Sequence, residues 1–159
     1  MLETEIGLMR HNGRYLERLL AGIPNGQLNY QPAAGLNTPL WILGHLTVSN
    51  DYPPNLLGCE KVCPQSWHDM FGPFSYPHDL PADAPTVEQL LPKFHEGLEH
   101  CARVVPVATP EQLAQTNPIA FLPQFATIGE LIAHCLTNHA ATHLGQFSAW
   151  RRMLAMPSV

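Results

Sequence analysis

The chain has 159 residues and a formal net charge of −5, and 45 % of its residues are hydrophobic while only 13 % are charged. This composition excludes a disordered chain and a coiled coil, and the length suits one domain, residues 1–159, with a single sizeable core. The basic residues are few and scattered, which excludes the clustered basic face that nucleic-acid binding needs. The pair Arg151-Arg152 lies near the end of a predicted helix, where the helix dipole favours positive charge.

No window of the sequence approaches the ~18 consecutive apolar residues that a membrane span requires. The first residues carry acidic side chains early and contain no unbroken apolar stretch, which argues against a signal peptide. Four cysteines in a chain of this size do not indicate a disulfide scaffold. We therefore expect a cytoplasmic protein in a reducing setting, without a membrane partner.

The first half of the chain predicts two helices. Apolar residues recur at helical spacing over about residues 3–21, and Gly22 and Pro24 then end the first helix. Thr38-Pro39 combines a capping threonine with a proline at the first helical position, and it begins a second helix that stops before Pro53.

The segment 58–85 holds several prolines and no lasting periodicity, which predicts a long irregular excursion that is functional or covers a pocket. After it, Thr86 and Gln89 resemble a capping box at the start of a third helix, and a short helix is predicted near residues 111–116. A second capping box begins at Thr127, where the longest helix starts. The expected fold is all-α, an up-and-down four-helix bundle with the excursion between the second and third helices.

Two of the nine histidines, His139 and His143, lie four residues apart in the last predicted helix. This spacing places both rings on one face, a turn apart, where they can share one metal ion. The helix carries few charges, and a buried polar pair needs partners, which a shared cation supplies. His45, in the apolar run of the second helix, is the best third ligand, because two ligands leave a metal under-coordinated. His134 is predicted to point away from the pair.

The remaining histidines, among them His68, are predicted to lie at ordinary surface or loop positions. Ala140 follows His139 where the zinc-protease motif has a glutamate, so a peptidase of that type is excluded. A zinc knuckle at Cys59, Cys63 and His68 is disfavoured by its spacing.

The segments WILGHL and TIGELIAHCLTNHAATHLGQ resemble the DinB/YfiT-like superfamily of metal-dependent enzymes. The resemblance extends over nearly the whole chain, including WHDMFGPFSYPHD and APTVEQLL in the middle. It implies that His45, His139 and His143 bind one divalent metal, zinc or nickel, and it favours a homodimer. Members of the family include thiol S-transferases, thiol-dependent isomerases and candidate hydrolases.

Three imidazoles with an open position are typical of a catalytic metal site. We therefore expect an enzyme of S-transferase or hydrolase type, in which the metal activates water or a low-molecular-weight thiol against a small electrophilic substrate. Trp41, Asn12 and Gln146 are predicted to line the substrate pocket, and the excursion 58–85 is predicted to form its rim. Two alternatives remain open. One is a non-catalytic, stress-linked metal-binding bundle, and the other is an interaction bundle with metal-free core histidines.

Overall fold

The structure, a computed structural model, describes residues 2–159, which form helices joined by turns. The α-helices are α1 (Glu3–Leu20), α2 (Pro39–Ser49), α3 (Tyr52–Leu56), α4 (Gln65–Phe71), α5 (Val87–Val104), α6 (Pro110–Leu113), α7 (Ile128–His134) and α8 (Ala140–Met153). The described residues contain no strand beyond an isolated β-bridge between Thr116 and Thr127. The prediction of an all-helical chain is confirmed, whereas the up-and-down order of a four-helix bundle stays a prediction.

One turn of π-helix, Cys135–His139, joins α7 to α8, so that the long helix predicted from residue 127 onwards continues through both. In a π turn the backbone bonds close over five residues rather than four, which changes the directions of the side chains beyond it. No helix within residues 2–159 combines the length and the apolar composition needed to span a bilayer.

Helix α2 lies at the centre of the core. All of its residues except Leu40 are buried, because its apolar side chains surround the helix rather than forming one stripe. Helices α4, α5 and α8 pack against it, while α1 packs against α5 and α8. Helix α1 is amphipathic and buries one face, formed by Ile6, Met9, Gly13, Leu16 and Leu19. The central position of α2 brings its single histidine into the core.

The predicted irregular excursion contains a helix, α4, and a 3₁₀ turn at Pro77–Asp79, so the prediction for residues 58–85 is corrected. A buried carboxylate anchors this segment. Asp51 accepts hydrogen bonds from the backbone N–H groups of Val62 (2.9 Å) and Cys63 (3.0 Å) and from Nε2 of His68 (2.9 Å). Burial acts to raise the pKa of Asp51, but the hydrogen bond from His68 and those from the two backbone groups lower it overall.

The prediction that His68 lies at an ordinary surface or loop position is therefore wrong, since its ring is buried against Asp51. A helix of seven residues has too few turns to show a clear period, and its anchor is a side chain distant in sequence. Local patterns carry no information on such a contact.

Arg151 is also buried, and its Nη1 donates to the carbonyl oxygens of Leu19 (2.7 Å) and Ala21 (3.1 Å) at the end of α1. The prediction for Arg151-Arg152 invoked only the dipole of their own helix. Instead, the Arg151 guanidinium satisfies carbonyl groups that a helix terminus leaves without an intrahelical donor.

Candidate metal centre

His45 occupies the buried face of α2 that meets α4. The preceding residue, Gly44, makes this contact possible, because a Cβ at position 44 would overlap the ring of Phe71. The close packing brings the carbonyl oxygen of Phe71 to 2.6 Å from Nδ1 of His45. The Nδ1–H of His45 therefore donates to this carbonyl, which leaves the lone pair on Nε2. Buried metal-binding histidines are commonly oriented in this way.

The Nε2 of His45 points to the Nε2 of His139, at a distance of 3.0 Å. His139 ends the π turn, and His143 follows one turn later in α8. The ring centroids of His139 and His143 are 4.8 Å apart, and that of His143 is 4.6 Å from that of His45. The structure thus brings together the three histidines predicted as ligands, from two helices that pack against each other.

His143 is oriented by a short chain of amides. Its Nδ1 lies 3.1 Å from Oε1 of Gln146, which also accepts a hydrogen bond from Nδ2 of Asn37 at 3.0 Å. Since Oε1 is an acceptor in both contacts, the Nδ1–H of His143 is the donor. The lone pair of His143 therefore lies on Nε2, as in His45.

The three imidazoles can each offer a ring nitrogen such that these atoms all lie within 4.8 Å of one another. Zinc–nitrogen bonds of ~2.05 Å in a tetrahedron imply ligand nitrogens about 3.3 Å apart. The separation of 3.0 Å between His45 and His139 is close to that edge. The donor set and its spacing therefore fit a divalent ion that prefers nitrogen ligands.

The electrostatics keep the three rings neutral at pH 7. Burial and the neighbouring His143 lower the pKa of His45 to about 4, against the opposing hydrogen bond to Phe71. Burial, followed by the nearby rings of His45, His143 and His134, lowers the pKa of His139 to about 3. Burial also lowers the pKa of His143, although its bond to Gln146 acts in the opposite direction. Neutral imidazole is the form that binds a metal.

His134 lies nearer to the cluster than its spacing predicts. An α-helix would turn it about 140° away from His139, but the π turn places five residues on roughly one turn. The ring centroids of the two residues are 5.8 Å apart, so the predicted direction of His134 is corrected. The ring nitrogens of His134 nevertheless do not belong to the set that lies within 4.8 Å of one another, which agrees with the prediction that His134 is not a ligand.

The three residues predicted to line the substrate pocket make other contacts around the histidines. The Trp41 ring stacks on His45, with centroids 4.6 Å apart and planes 9° from parallel, and its Nε1–H donates to Oγ of Ser75. Asn12 is half-buried and lines, together with His139, a void of about 10 Å³, the size of one water. Gln146 bonds to His143. Their role in binding substrate stays a prediction.

A larger pocket, of about 220 Å³, opens beside His45 and His139. Its lining residues are His45, Ser49, Tyr52, Pro73, Ile119, Phe121, Leu122, Leu131, His134, Cys135 and His139. The segment 58–85 contributes Pro73, next to the exposed ring of Phe74. The connector between α6 and α7 supplies Ile119, Phe121 and Leu122.

Sequence reasoning missed the contacts that hold the cluster. The glycine that allows a close approach is Gly44, whereas a Cβ added at Gly145, between His143 and Gln146, would meet no atom within 4 Å. Phe71 and Asn37 contribute a backbone carbonyl and an amide, and neither group has a signature in the sequence. The small residue directly before His45 was the one available signal.

Comparisons with known proteins identify the fold and the superfamily of the chain. The fold resembles a crystal structure described as a conserved protein of locus from Enterococcus faecalis, with a TM-score of 0.75 and 16 % identity over 98 % of this chain and 97 % of that one. This identity supports a shared fold alone. A search of curated proteins finds no match. The sequence profile of the DinB superfamily matches residues 8–147, and the chain belongs to that superfamily.

Proposed function

We propose that His45, His139 and His143 hold one divalent metal ion, zinc or nickel, at a catalytic centre. The observation that carries the proposal is the convergence of three neutral rings, two of which have their Nδ1–H groups bonded away from the cluster. In the absence of a metal, a proton on Nε2 of His139 can bond to the Nε2 lone pair of His45. The Nε2 lone pair of His143 is then left without a donor. A single cation satisfies all three rings.

Three protein ligands leave a coordination position open, which is typical of catalytic rather than structural zinc sites. When bound, such an ion supplies Lewis acidity that activates water or a low-molecular-weight thiol. The pocket beside His45 and His139 gives a small electrophile access to that position. We therefore propose a reaction of S-transferase or hydrolase type.

The residues around the cluster have separable roles in this proposal. Phe71 and Gln146 orient the rings of His45 and His143 through their hydrogen bonds. Trp41, which is buried, covers one face of His45 and excludes water from it. Asn12 supports the backbone next to His139. We propose that Trp41, Asn12 and Gln146 affect substrate binding indirectly, by positioning the histidines that bind the metal.

Elemental analysis of the purified protein, followed by zinc titration against a chromophoric chelator, tests the metal site. We expect about one zinc or nickel ion per chain, and loss of tight binding in His45→Ala, His139→Ala and His143→Ala. His134→Ala is the matched control, because this ring neighbours His139 but lies outside the set. Unchanged stoichiometry and affinity in the His139→Ala variant would refute the assignment.

The non-catalytic alternative has one observation in its favour, since the cluster joins α2 to α8 and an ion there would crosslink two core helices. It predicts a large fall in Tm on chelation and a cobalt-substituted spectrum that does not respond to added ligand. The catalytic proposal predicts a small fall in Tm and a new charge-transfer band when 2-mercaptoethanol is added. A homodimer also remains part of the proposal, and analytical ultracentrifugation measures it.

A further inference from the structure

The pocket beside the cluster has a uniform chemical character. Its outer wall consists of aliphatic and aromatic side chains, with Ile119, Phe121 and Leu122 from one connector and Leu131 from α7. The polar residues Ser49, Tyr52 and His134 also line the pocket, and none of their side chains makes a hydrogen bond that the structure records within residues 2–159. All three can therefore bond to a ligand.

No aspartate, glutamate, lysine or arginine is among the residues that line this pocket. Burial raises the pKa of Tyr52 and, to about 12, that of the Cys135 thiol. Both side chains are consequently neutral at pH 7. A charged ligand would lose part of its hydration without gaining a counter-charge from the wall, which disfavours its binding.

The size and the mouth of the pocket are equally informative. A dry apolar cavity of ~150 Å³ holds a benzene molecule, so about 220 Å³ suits one aromatic ring with a few further atoms. At the mouth, the rings of Phe74 and Phe121 meet edge to face, with centroids 5.3 Å apart. Their side chains are 76 % and 46 % exposed, an unusual exposure for phenylalanine that is typical of a binding surface.

We infer that this pocket binds a small, uncharged, mainly apolar molecule of about the size of a substituted benzene, with its polar end towards His45 and His139. The inference rests on the proposed function, because it takes the bound molecule to be the electrophilic substrate of the metal centre. The floor of the pocket is formed by two of the three candidate ligands, and the wall determines what reaches them. Tyr52 and His134 would bond to the polar end.

Three probes of nearly equal shape and different charge test the inference, namely benzyl alcohol, benzoate and benzylamine, which is protonated at pH 7. Their affinities are measured by NMR titration of the metal-free protein, where benzoate has no ion to bind. We expect saturable binding of benzyl alcohol that is about tenfold tighter than that of either charged probe, a difference of about 1.4 kcal/mol. Equal binding of the charged probes, or no saturation by benzyl alcohol, would overturn the inference.

Two variants locate the binding. Phe121→Glu places a charge on the pocket wall at an exposed position, and we expect it to weaken benzyl alcohol binding about tenfold. Leu8→Glu is the matched control, since Leu8 on α1 is similarly exposed (48 % against 46 %) and lies outside the pocket. Equal affinity in both variants would place the probe elsewhere and overturn the inference.

Zinc titration of the same samples separates the two proposals. Zinc binding without benzyl alcohol binding would contradict the pocket assignment alone. Benzyl alcohol binding without zinc binding would contradict the metal centre alone, and the pocket would remain a neutral, apolar binding site.

Discussion

The ring of Phe71 packs directly on Gly44, and the same residue's carbonyl oxygen lies 2.6 Å from Nδ1 of His45. One contact between α2 and α4 thus packs the core and orients a candidate metal ligand. Any side chain at position 44 must displace the ring, which is fully buried, and the carbonyl moves with it.

Gly44→Ala should therefore lower both stability and metal affinity. Overpacking of a core typically costs 1–3 kcal/mol, and we expect the free energy of unfolding, measured in urea, to decrease by about 2 kcal/mol. The zinc affinity of the folded variant should fall as well, because His45 loses its aligned acceptor.

Gly145→Ala is the control for this prediction, since the position is exposed in α8 and an added Cβ would meet no atom within 4 Å. Alanine in a helix interior is more favourable than glycine by about 0.5–1 kcal/mol, so this variant should be slightly more stable and bind zinc normally. Equal effects of the two substitutions would show that the Phe71 contact does not control the site.

Gln146→Leu should weaken zinc binding without unfolding the protein. It removes the acceptor of the His143 Nδ1–H, and losses of such partners typically cost 10–100-fold in metal affinity. We expect about tenfold, because Gln146 is exposed and water replaces part of the interaction. Gln146→Glu retains an oxygen acceptor and should restore the affinity; if it binds as weakly as the leucine variant, the hydrogen bond is not the cause.

Asn12→Ala tests how the π turn is held. The Nδ2 of Asn12 donates to the carbonyl of Thr137, inside the turn that ends at His139. Its loss should reduce zinc affinity several-fold and change the visible spectrum of the cobalt-substituted protein, while the helical circular dichroism stays the same. Asn138→Ala, at an exposed site in the same turn, should change neither quantity. An unaltered cobalt spectrum in Asn12→Ala would argue against this positioning role.

The metal-free protein should lose stability as the pH falls below about 6.5, the usual pKa of histidine. The pKa values of His45 and His139 in the fold are about 4 and about 3, so between these values and 6.5 the unfolded chain binds protons that the folded chain does not. Stability then rises with pH and levels off above 6.5. Urea unfolding between about pH 5.5 and 7.5 measures this dependence.

In His139→Asn the stability should fall less steeply as the pH decreases, because one neutral buried ring is gone. The unfolding of this variant should take up about one proton fewer. His11→Asn, at an exposed position on α1, should leave the dependence unchanged. A wild-type stability that does not vary over this range would contradict neutral, desolvated rings in the cluster.

The local sequence determined much of this protein. Helical periodicity and capping threonines predicted the range of α1, the starts of α2 and α5, and the long helix that α7 and α8 form, because these signals arise between residues a few positions apart. The His139–His143 pair was likewise readable, since four residues are one helical turn. His45 was a weak signal alone and became specific only in combination with that pair.

Tertiary structure decided what surrounds these residues. The helix α4 and the buried pair of Asp51 and His68 depend on contacts between segments that are distant in sequence. The acceptors of His45 and His143 are a backbone carbonyl and an amide from other segments, which no local spacing specifies. The π turn, which packs against α1 and α3, changes the phase of the helix. His134 consequently lies beside the pocket instead of pointing away from His139.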